Sequence, residues 1–101
     1  MREFLRGAVK LHILHHAARG EVHGAWMSEE LARHGYRISP GSLYPTLHKM
    51  EAEGLLSSRV QVVEGKSFRS YAITAAGRRA LDETVGQLRE LADEVLGEAG
   101  P

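Results

Sequence analysis

The sequence has no cysteine, no net charge and no long apolar run. The missing cysteine excludes disulfides and thiolate zinc sites and fits a cytoplasmic protein. Because no run of 18 apolar residues occurs, we expect no membrane partner. The opening residues, MREFLRGAVKLHIL, are interrupted by Lys10 and His12 and precede no small-residue cleavage site, which argues against a signal peptide.

Sequence features of catalytic sites are also scarce. The chain has no glycine-rich phosphate loop and no cysteine nucleophile, and no spacing of serine, histidine and acidic residues sets up a nucleophile with its base. We therefore expect a protein that is not an enzyme and requires no cofactor. A length of 101 residues with 43 % hydrophobic residues predicts one small globular unit.

The most informative stretch is SPGSLYPTLHKMEAEGLL, residues 39–56. Leu43, Leu47 and Met50 recur at helical spacing and share one face, which predicts a helix with one buried side. The opposite face carries side chains that can contact phosphates and base edges, namely Tyr44, Thr46, His48 and Lys49. We therefore predict that this helix enters a DNA groove.

The start of this helix is ambiguous, because Ser39 and Ser42 are both good N-terminal caps. If Ser39 caps the helix, Pro45 falls beyond the first turn and interrupts it, whereas after Ser42 it occupies a harmless position. We therefore expect the regular helix to begin near Ser42. Gly54 predicts its end.

Two helices are predicted before this stretch. Residues 3–18 form the first, and residues 25–34 form the second, with Met27 and Leu31 inward and Gly35 as its stop. An extended link, residues 36–38, leads into the central helix. A helix, a turn and a second helix with a serine-proline start outline a helix-turn-helix.

After Gly54 the apolar period changes from helical to alternating. Residues 59–63 and 70–73 alternate as two strands, and Glu64, Gly65 and Lys66 form a hairpin tip between them. Thr74 then caps a last helix, about Ala75 to Leu96. The predicted fold is mainly α with a two-stranded β-wing: a winged helix-turn-helix domain (1–74), a long C-terminal dimerisation helix (75–97) and a flexible tail (98–101).

Surplus apolar surface predicts a homodimer. The first helix has two apolar stripes, and the last helix, about 30 Å long, exceeds what a small winged domain needs to cover itself. The residues expected at the dimer interface are Leu5, Val9 and Ile13 on the first helix and Leu81, Leu88, Leu91 and Val95 on the last.

Three motifs resemble the PadR family of bacterial transcriptional regulators, in its short subtype with one C-terminal helix. His23-Gly24 followed by Met27 is similar to the family's HGYEI opening of the second helix. SPGSLYPTL with Met50-Glu51 and Gly54-Leu55 is similar to SPGTLYPAL..LE..GL, and YAIT with Gly77 is similar to YYRLT..G. Together these motifs span nearly the whole chain.

This resemblance implies a homodimeric winged helix-turn-helix repressor whose last helix packs on the partner's first helix. Such a repressor would read an inverted-repeat operator in double-stranded DNA and be released by a small-molecule or metal effector. Two positions depart from the family pattern. Ala25 replaces a tyrosine, with Trp26 one place on, and Phe68 lies in a wing that is usually basic.

The distribution of charge favours the central stretch as the DNA-binding part. Residues 37–69 carry five basic and three acidic side chains, whereas residues 82–98 carry one basic and six acidic ones. The predicted DNA-binding residues are Ser39, Ser42, Tyr44, Thr46, His48 and Lys49 on the central helix and Lys66 and Arg69 on the wing. Alternatively, Tyr44 packs under the wing and Lys49 is only solvated charge.

Six histidines are many for a chain of this length. His12 and His16 are four residues apart, the helical spacing used by divalent metal ligands, and His23 could approach from the turn. These three residues are a candidate zinc-like metal site that regulates DNA affinity. Alternatively, they are partly buried interface histidines.

Trp26, the only tryptophan, has two interpretations. It either covers the dimer seam or stacks on a flat aromatic effector. For the whole chain, the main competing hypothesis is a winged helix that serves as a protein-protein interaction module without DNA binding, which the neutral net charge would suit.

Overall fold

The computed structural model describes residues 1–97, and the tail predicted at 98–101 lies outside this range. Its elements are α1 (Arg2–Ala17), β1 (Val22–His23), α2 (Gly24–Arg33), α3 (Pro40–Ala52), β2 (Leu56–Val63), β3 (Lys66–Ile73) and α4 (Ala75–Leu96). This order is a winged helix-turn-helix followed by a long helix, as the sequence predicts. None of the helices in residues 1–97 combines the length and apolar character that a membrane crossing requires.

The wing is part of a sheet with three antiparallel strands in the order β1-β3-β2, not two. β2 and β3 pair from Leu56–Ile73 to Val63–Lys66, and a two-residue turn with positive φ at Glu64 and Gly65 joins them. The added strand, β1, pairs Val22 with Tyr71 and His23 with Ser70. Val22 and His23, which the sequence predicts to lie in the turn between the first two helices, therefore anchor the wing to the start of α2.

One core fills the space between α1, α2, α3 and the sheet. Inward faces of the three helices meet Leu56 and Tyr71 there, and α3 contributes the three residues predicted from its spacing. The buried hydrophobic residues are Val9, Ile13, Leu14, Ala17, Val22, Met27, Leu31, Leu43, Leu47, Met50, Leu56 and Tyr71.

The core corrects part of the predicted dimer interface. Val9 and Ile13 are 8 % and 0 % exposed and pack inside their own chain, so they cannot contact a partner. Leu81 is half-buried against the same core. Helical spacing shows that α1 has two apolar faces, but it does not show which face meets α2 and α3. The prediction therefore assigned two core residues, Val9 and Ile13, to the dimer interface.

The start of α3 is also corrected. Ser39 is the N-cap and Pro40 the first helical residue, because the Ser39 carbonyl accepts hydrogen bonds from the amides of Ser42 and Leu43 at 2.9 and 2.8 Å. Proline at the first position is preset for a helix. Pro45 therefore lies inside the helix, where it lacks the amide that would bond the Gly41 carbonyl.

Gly54 ends α3 as predicted, with φ at 81°. The Leu55 amide donates to the Met50 carbonyl and the Gly54 amide to the Glu51 carbonyl, both at 2.9 Å, which is a Schellman motif. The turn also holds α4: the Thr74 hydroxyl donates to the Gly54 carbonyl at 2.5 Å and accepts from the Gly77 amide at 2.9 Å. The end of α3 and the start of α4 therefore share one hydrogen-bonded joint.

Candidate nucleic-acid interface and histidine cluster

The outer face of α3 is free of contacts that would cover it. Gly41, Pro45, His48 and Ala52 are exposed on the side opposite the three buried residues. A face made of two small residues and a proline around His48 lets another surface approach the helix backbone closely. His48 thus lies at the centre of the exposed face, as the DNA-reading hypothesis requires.

Tyr44, at the edge of this face, is 38 % exposed. Its ring lies against Gly24, since a Cβ atom added there would be 2.6 Å from Tyr44 Cε1. Tyr44 therefore packs against the first residue of α2 rather than under the wing, and this close approach requires a glycine. The accessible edge of the Tyr44 ring lies beside the exposed face of α3 that carries His48.

The hydroxyls at the start of α3 differ in availability. Ser39 and Ser42 are exposed, and their Oγ atoms are 3.4 Å apart. Thr46 is half-buried, and its hydroxyl donates to the Ser42 carbonyl at 2.9 Å. Ser39 donates to Ser42 in this pair, so the Ser42 hydroxyl is the one free to donate to a ligand, whereas Thr46 is already bonded within its own helix.

A basic groove that the sequence did not reveal runs beside α3. It has a volume of about 510 Å³ and lies between the first half of α1, the link from α2 and the start of α3. Arg6, Lys10, Arg37 and Lys49 contribute its charges, and none of its lining residues is acidic. Its remaining lining residues are Leu5, Val9, Gly35, Tyr36, Ile38, Ser42 and Thr46. We call it the α3 groove.

Three of these four cations were absent from the predicted site. Arg6 and Lys10 are four residues apart on α1, so the sequence does indicate that they share a face. Nothing in the local pattern places that face beside Lys49, because α1 and α3 are brought together only by the core. The α3 groove concentrates four positive charges in a chain with no net charge.

The wing base is held by polar contacts that involve predicted DNA-binding residues. Arg69 Nη1 donates to Ser58 Oγ at 2.9 Å, and Ser58 Oγ donates to Glu51 on α3 at 2.7 Å. Arg69 is therefore partly engaged in fixing the wing to α3. Lys66 lies exposed at the hairpin tip.

An ion pair also holds β2. Arg59 donates from Nε and Nη2 to the two carboxylate oxygens of Glu21, each at 2.7 Å. This hydrogen bonding lowers the pKa of Glu21 and raises that of Arg59. Because Glu21 directly precedes β1, the pair fixes the wing to the loop between α1 and α2.

His12, His16 and His34 lie together between α1 and the end of α2. One ring nitrogen from each lies within 4.8 Å of the other two. The rings of His12 and His34 stack with centroids 5.0 Å apart, and Tyr36 contacts His12 edge-on at 5.1 Å. We call these three residues the histidine cluster.

Glu30 is the carboxylate of this cluster and is only 9 % exposed. Its Oε2 lies 3.3 Å from His16 Nε2 and 3.1 Å from His34 Nε2, while Arg33 donates to Oε1 at 3.2 Å. The hydrogen bond from His34 is the main reason that the pKa of Glu30 is lowered. The carboxylate is thus ionised and directed at two imidazoles.

Burial lowers the pKa of His12, and repulsion from His34 and His15 adds to it. Burial likewise lowers the pKa of His16, against the opposing attraction of Glu30. Both imidazoles are therefore neutral at pH 7, the form that ligates metal ions. His34 is more accessible, with 49 % of its side chain exposed.

The structure replaces one predicted metal ligand. His23 lies on β1, with Nδ1 at 3.2 Å from Ser70 Oγ and its ring 5.5 Å from that of Phe68, and is not part of the cluster. His34 takes the third position. Trp26 is 43 % exposed and its ring meets that of His16 edge-on at 5.2 Å, so the candidate effector residue borders the histidine cluster.

Apolar residues remain exposed along α1 and α4. The two helices enclose a groove of about 250 Å³, lined by Glu3, Phe4, Gly7, Ala8, Leu11, Thr84, Gln87, Leu88 and Leu91. Leu5, which is 52 % exposed, lines the α3 groove instead. On the side of α1 and α4, Leu88, Leu91 and Val95 are 43 %, 45 % and 69 % exposed, and Phe4 is 53 % exposed. We call this surface the α1–α4 face.

Known proteins resemble the chain in sequence and structure. Residues 13–83 match the sequence profile of the Transcriptional regulator PadR-like family. Transcriptional regulator Rv3488 of Mycobacterium tuberculosis (strain ATCC 25618 / H37Rv) is 65 % identical over 97 residues, which cover 96 % of this chain and 91 % of that protein.

Solved structures agree with the sequence matches. A PadR-like transcriptional regulator from Bacillus cereus strain ATCC 14579 superposes with a TM-score of 0.86 at 28 % identity, over 98 % of each chain. A PadR family transcriptional regulator from Eggerthella lenta DSM 2243 gives a TM-score of 0.76 at 33 % identity, over 92 % of this chain and 79 % of that one.

Proposed function

Because the chain belongs to the PadR-like family of transcriptional regulators, we propose that it is a homodimeric repressor that reads an inverted-repeat operator with α3. The observation that carries this proposal is the exposed face of α3 beside the α3 groove with its four cations. On this proposal the chain acts in the cytoplasm, where the chromosome lies, and binds DNA without catalysing a reaction.

In the proposed complex α3 lies in the major groove. His48 and Lys49 face base edges, and Ser39, Ser42 and Tyr44 donate hydroxyls to phosphates. Arg6, Lys10 and Arg37 follow the phosphate backbone along the flank of the helix. Lys66 at the hairpin tip contacts the next stretch of backbone, and Arg69 supports the wing while contributing charge.

The proposed partner protein is a second copy of the chain. The Cα radius of gyration is 15.1 Å, whereas a compact domain of this length has about 13 Å, because α4 extends beyond the core. Only Gly77 of α4 is fully buried within residues 1–97. Packing of α4 against the partner's α1 would cover the α1–α4 face and set the distance between the two copies of α3.

Operator release by an effector is part of the proposal. The indole of Trp26 provides a rigid apolar surface that is accessible at the protein surface and continuous with the histidine cluster. A flat aromatic compound would stack there, and quenching of the single tryptophan's fluorescence would report its binding.

A salt titration tests DNA binding. Purified protein is titrated with a labelled inverted repeat from the promoter next to its own gene, at several salt concentrations. Several phosphate contacts per copy predict a steep fall in affinity with salt. Arg37→Ala and Lys49→Ala should each weaken binding about three- to tenfold and make the salt dependence shallower.

Arg89→Ala is a matched control, since Arg89 is an exposed cation in the second half of α4, beyond the joint with α3. It should leave the affinity within about twofold of the wild type. Specific binding with a flat salt dependence would contradict the electrostatic part of the proposal. No salt-sensitive DNA binding, together with no effect of Lys49→Ala, would favour the protein-protein interaction module instead.

A further inference from the structure

The histidine cluster brings three ring nitrogens near one another and two of them near a carboxylate oxygen, an arrangement close to that of a metal site. In a tetrahedral zinc site with ligand bonds of about 2.05 Å, neighbouring ligand atoms lie about 3.3 Å apart. The Glu30 oxygen already lies 3.3 and 3.1 Å from nitrogens of His16 and His34. The three histidine nitrogens, within 4.8 Å of one another, need to approach by up to about 1.5 Å more.

We propose that His12, His16 and His34, with Glu30 as fourth ligand, bind a divalent transition metal ion such as zinc and that this ion regulates DNA binding. The regulatory part rests on the function proposed above, whereas the site itself does not. Within residues 1–97 the three histidines are the group of metal-ligating side chains whose ligand atoms converge, and Glu30 contacts two of them, His16 and His34.

The ligand chemistry selects the class of metal. Three imidazoles and one carboxylate suit zinc, nickel, cobalt or copper, whereas magnesium and calcium prefer sites made only of oxygen. Arg33 donates to Glu30 Oε1 at 3.2 Å, which leaves Oε2 directed at the histidines. Such an outer contact orients a ligating carboxylate. The accessible His34 gives the ion a path from solvent.

The position of the site connects it to α3. His12 and His16 are on α1, Glu30 is on α2, and His34 is the C-cap of α2. Only residues 35–39 separate His34 from α3, and among them Gly35 and Tyr36 close the turn through hydrogen bonds to Ala32 and Leu31. A metal ion that draws His34 toward α1 therefore moves the segment that begins the DNA-reading helix.

Such a movement also changes the α3 groove, because Gly35, Tyr36 and Arg37 line it. The α3 groove is open, with its cations beside α3. We expect metal binding to shift the link and lower operator affinity, and by linkage DNA binding lowers metal affinity by the same factor. Such an effector acts by shifting the position of one packed element, here the link between α2 and α3, which the metal site and the DNA-binding site share.

Metal binding is tested on the full chain after removal of metals with a chelator. Calorimetry with zinc should give one ion per chain. Cobalt(II) should give the intense visible absorption of a tetrahedral complex, which requires no variant. His12→Ala and His34→Ala should each lower zinc affinity at least tenfold. Circular dichroism of the metal-free variants establishes that each remains folded.

His23→Gln is the matched control, since His23 binds Ser70 and lies outside the cluster. It should keep zinc affinity within about twofold. Zinc should raise the melting temperature of the wild type and of this control but not of His34→Ala, because only a site present in the folded state stabilises it. Zinc binding no stronger than in a His12/His16/His34 triple alanine variant, an octahedral cobalt spectrum, or loss of binding in His23→Gln would overturn the site.

The regulatory part is tested by operator titration of chelator-treated protein with and without zinc. We expect zinc to weaken binding at least fivefold in the wild type and to have no effect on His34→Ala. Metal binding without a change in operator affinity would overturn the regulatory role alone. Failure of the metal-free protein to bind DNA would overturn the proposed function, while the calorimetric result for the site would stand.

Discussion

At the scale of single residues, Tyr71 has a polar atom without a partner. The side chain is 1 % exposed and its hydroxyl makes no hydrogen bond within residues 1–97. Burial is also the main reason that the pKa of this phenol is raised. The ring fills the core between α3 and the sheet, so its apolar part stabilises the fold, whereas the hydroxyl is desolvated without compensation.

Tyr71→Phe should therefore leave the free energy of unfolding unchanged or raise it by up to about 1 kcal/mol, because it removes an unpaired polar group and keeps the ring. Tyr71→Ala should lower it by about 3–5 kcal/mol through the cavity it creates. Urea denaturation of the two variants at equal protein concentration measures both changes. A loss of more than about 1 kcal/mol in Tyr71→Phe would mean that the hydroxyl is bonded in solution.

At the scale of secondary-structure elements, Thr74 joins the end of α3 to the start of α4. Its hydroxyl caps α4 through the Gly77 amide and also donates to the Gly54 carbonyl. Gly77 packs directly on the Leu55 carbonyl, and a side chain there would clash with that backbone oxygen. The start of α4 is therefore fixed by the hydrogen bonds and backbone packing of this joint, together with Leu81 against the core.

Thr74→Ala should lower the free energy of unfolding by about 1–3 kcal/mol, since it removes the cap and a second hydrogen bond. Thr84→Ala is the control, because Thr84 donates only to Ala80 within its own helix, at 2.7 Å. It should change stability by less than about 0.5 kcal/mol, helped by the better helix propensity of alanine. Equal losses in both variants would contradict the role of the joint.

Elements with a local cause could be predicted from the sequence. Thr74 as the cap of α4, Gly54 as the end of α3 and the buried face of α3 follow from nearby residues and are confirmed. β1 could not be predicted in this way, because two residues form a strand only when a distant segment pairs with them. The start of α3 was missed because Pro45 was weighed above the preset geometry of Pro40.

In the candidate site, too, residues related by local spacing could be predicted, whereas residues brought together by folding could not. His48 and Lys49 follow from helical spacing on α3, and His12 and His16 from spacing on α1. His34 could not be found, because it meets these histidines only after α2 packs on α1. Arg6, Lys10 and Arg37 likewise become one groove only in the folded chain.

At the scale of the whole molecule, the α1–α4 face predicts the oligomeric state. Leu88→Glu with Leu91→Glu should convert a dimer into a monomer, because two charges would be buried in an apolar interface. Sedimentation velocity measures this. Val62→Glu is the control, since Val62 is also an exposed apolar residue, at 69 %, but lies on the wing. It should leave the dimer intact, and a dimeric double variant would contradict the assigned interface.

The same double variant should weaken operator binding at least tenfold, since a single copy neutralises fewer phosphates. Its isolated domain should remain folded, because Leu88 and Leu91 lie outside the core. Circular dichroism distinguishes loss of dimerisation from loss of folding.

The joint at Thr74 also has a mechanical consequence. α4 has 22 residues and so extends about 33 Å from this joint. A rotation of about 10° at the joint displaces the far end of the helix by about 6 Å, more than the 3.4 Å between successive base pairs. In the proposed dimer, the stiffness of one threonine-centred turn would therefore limit which spacings between two half-sites the protein tolerates.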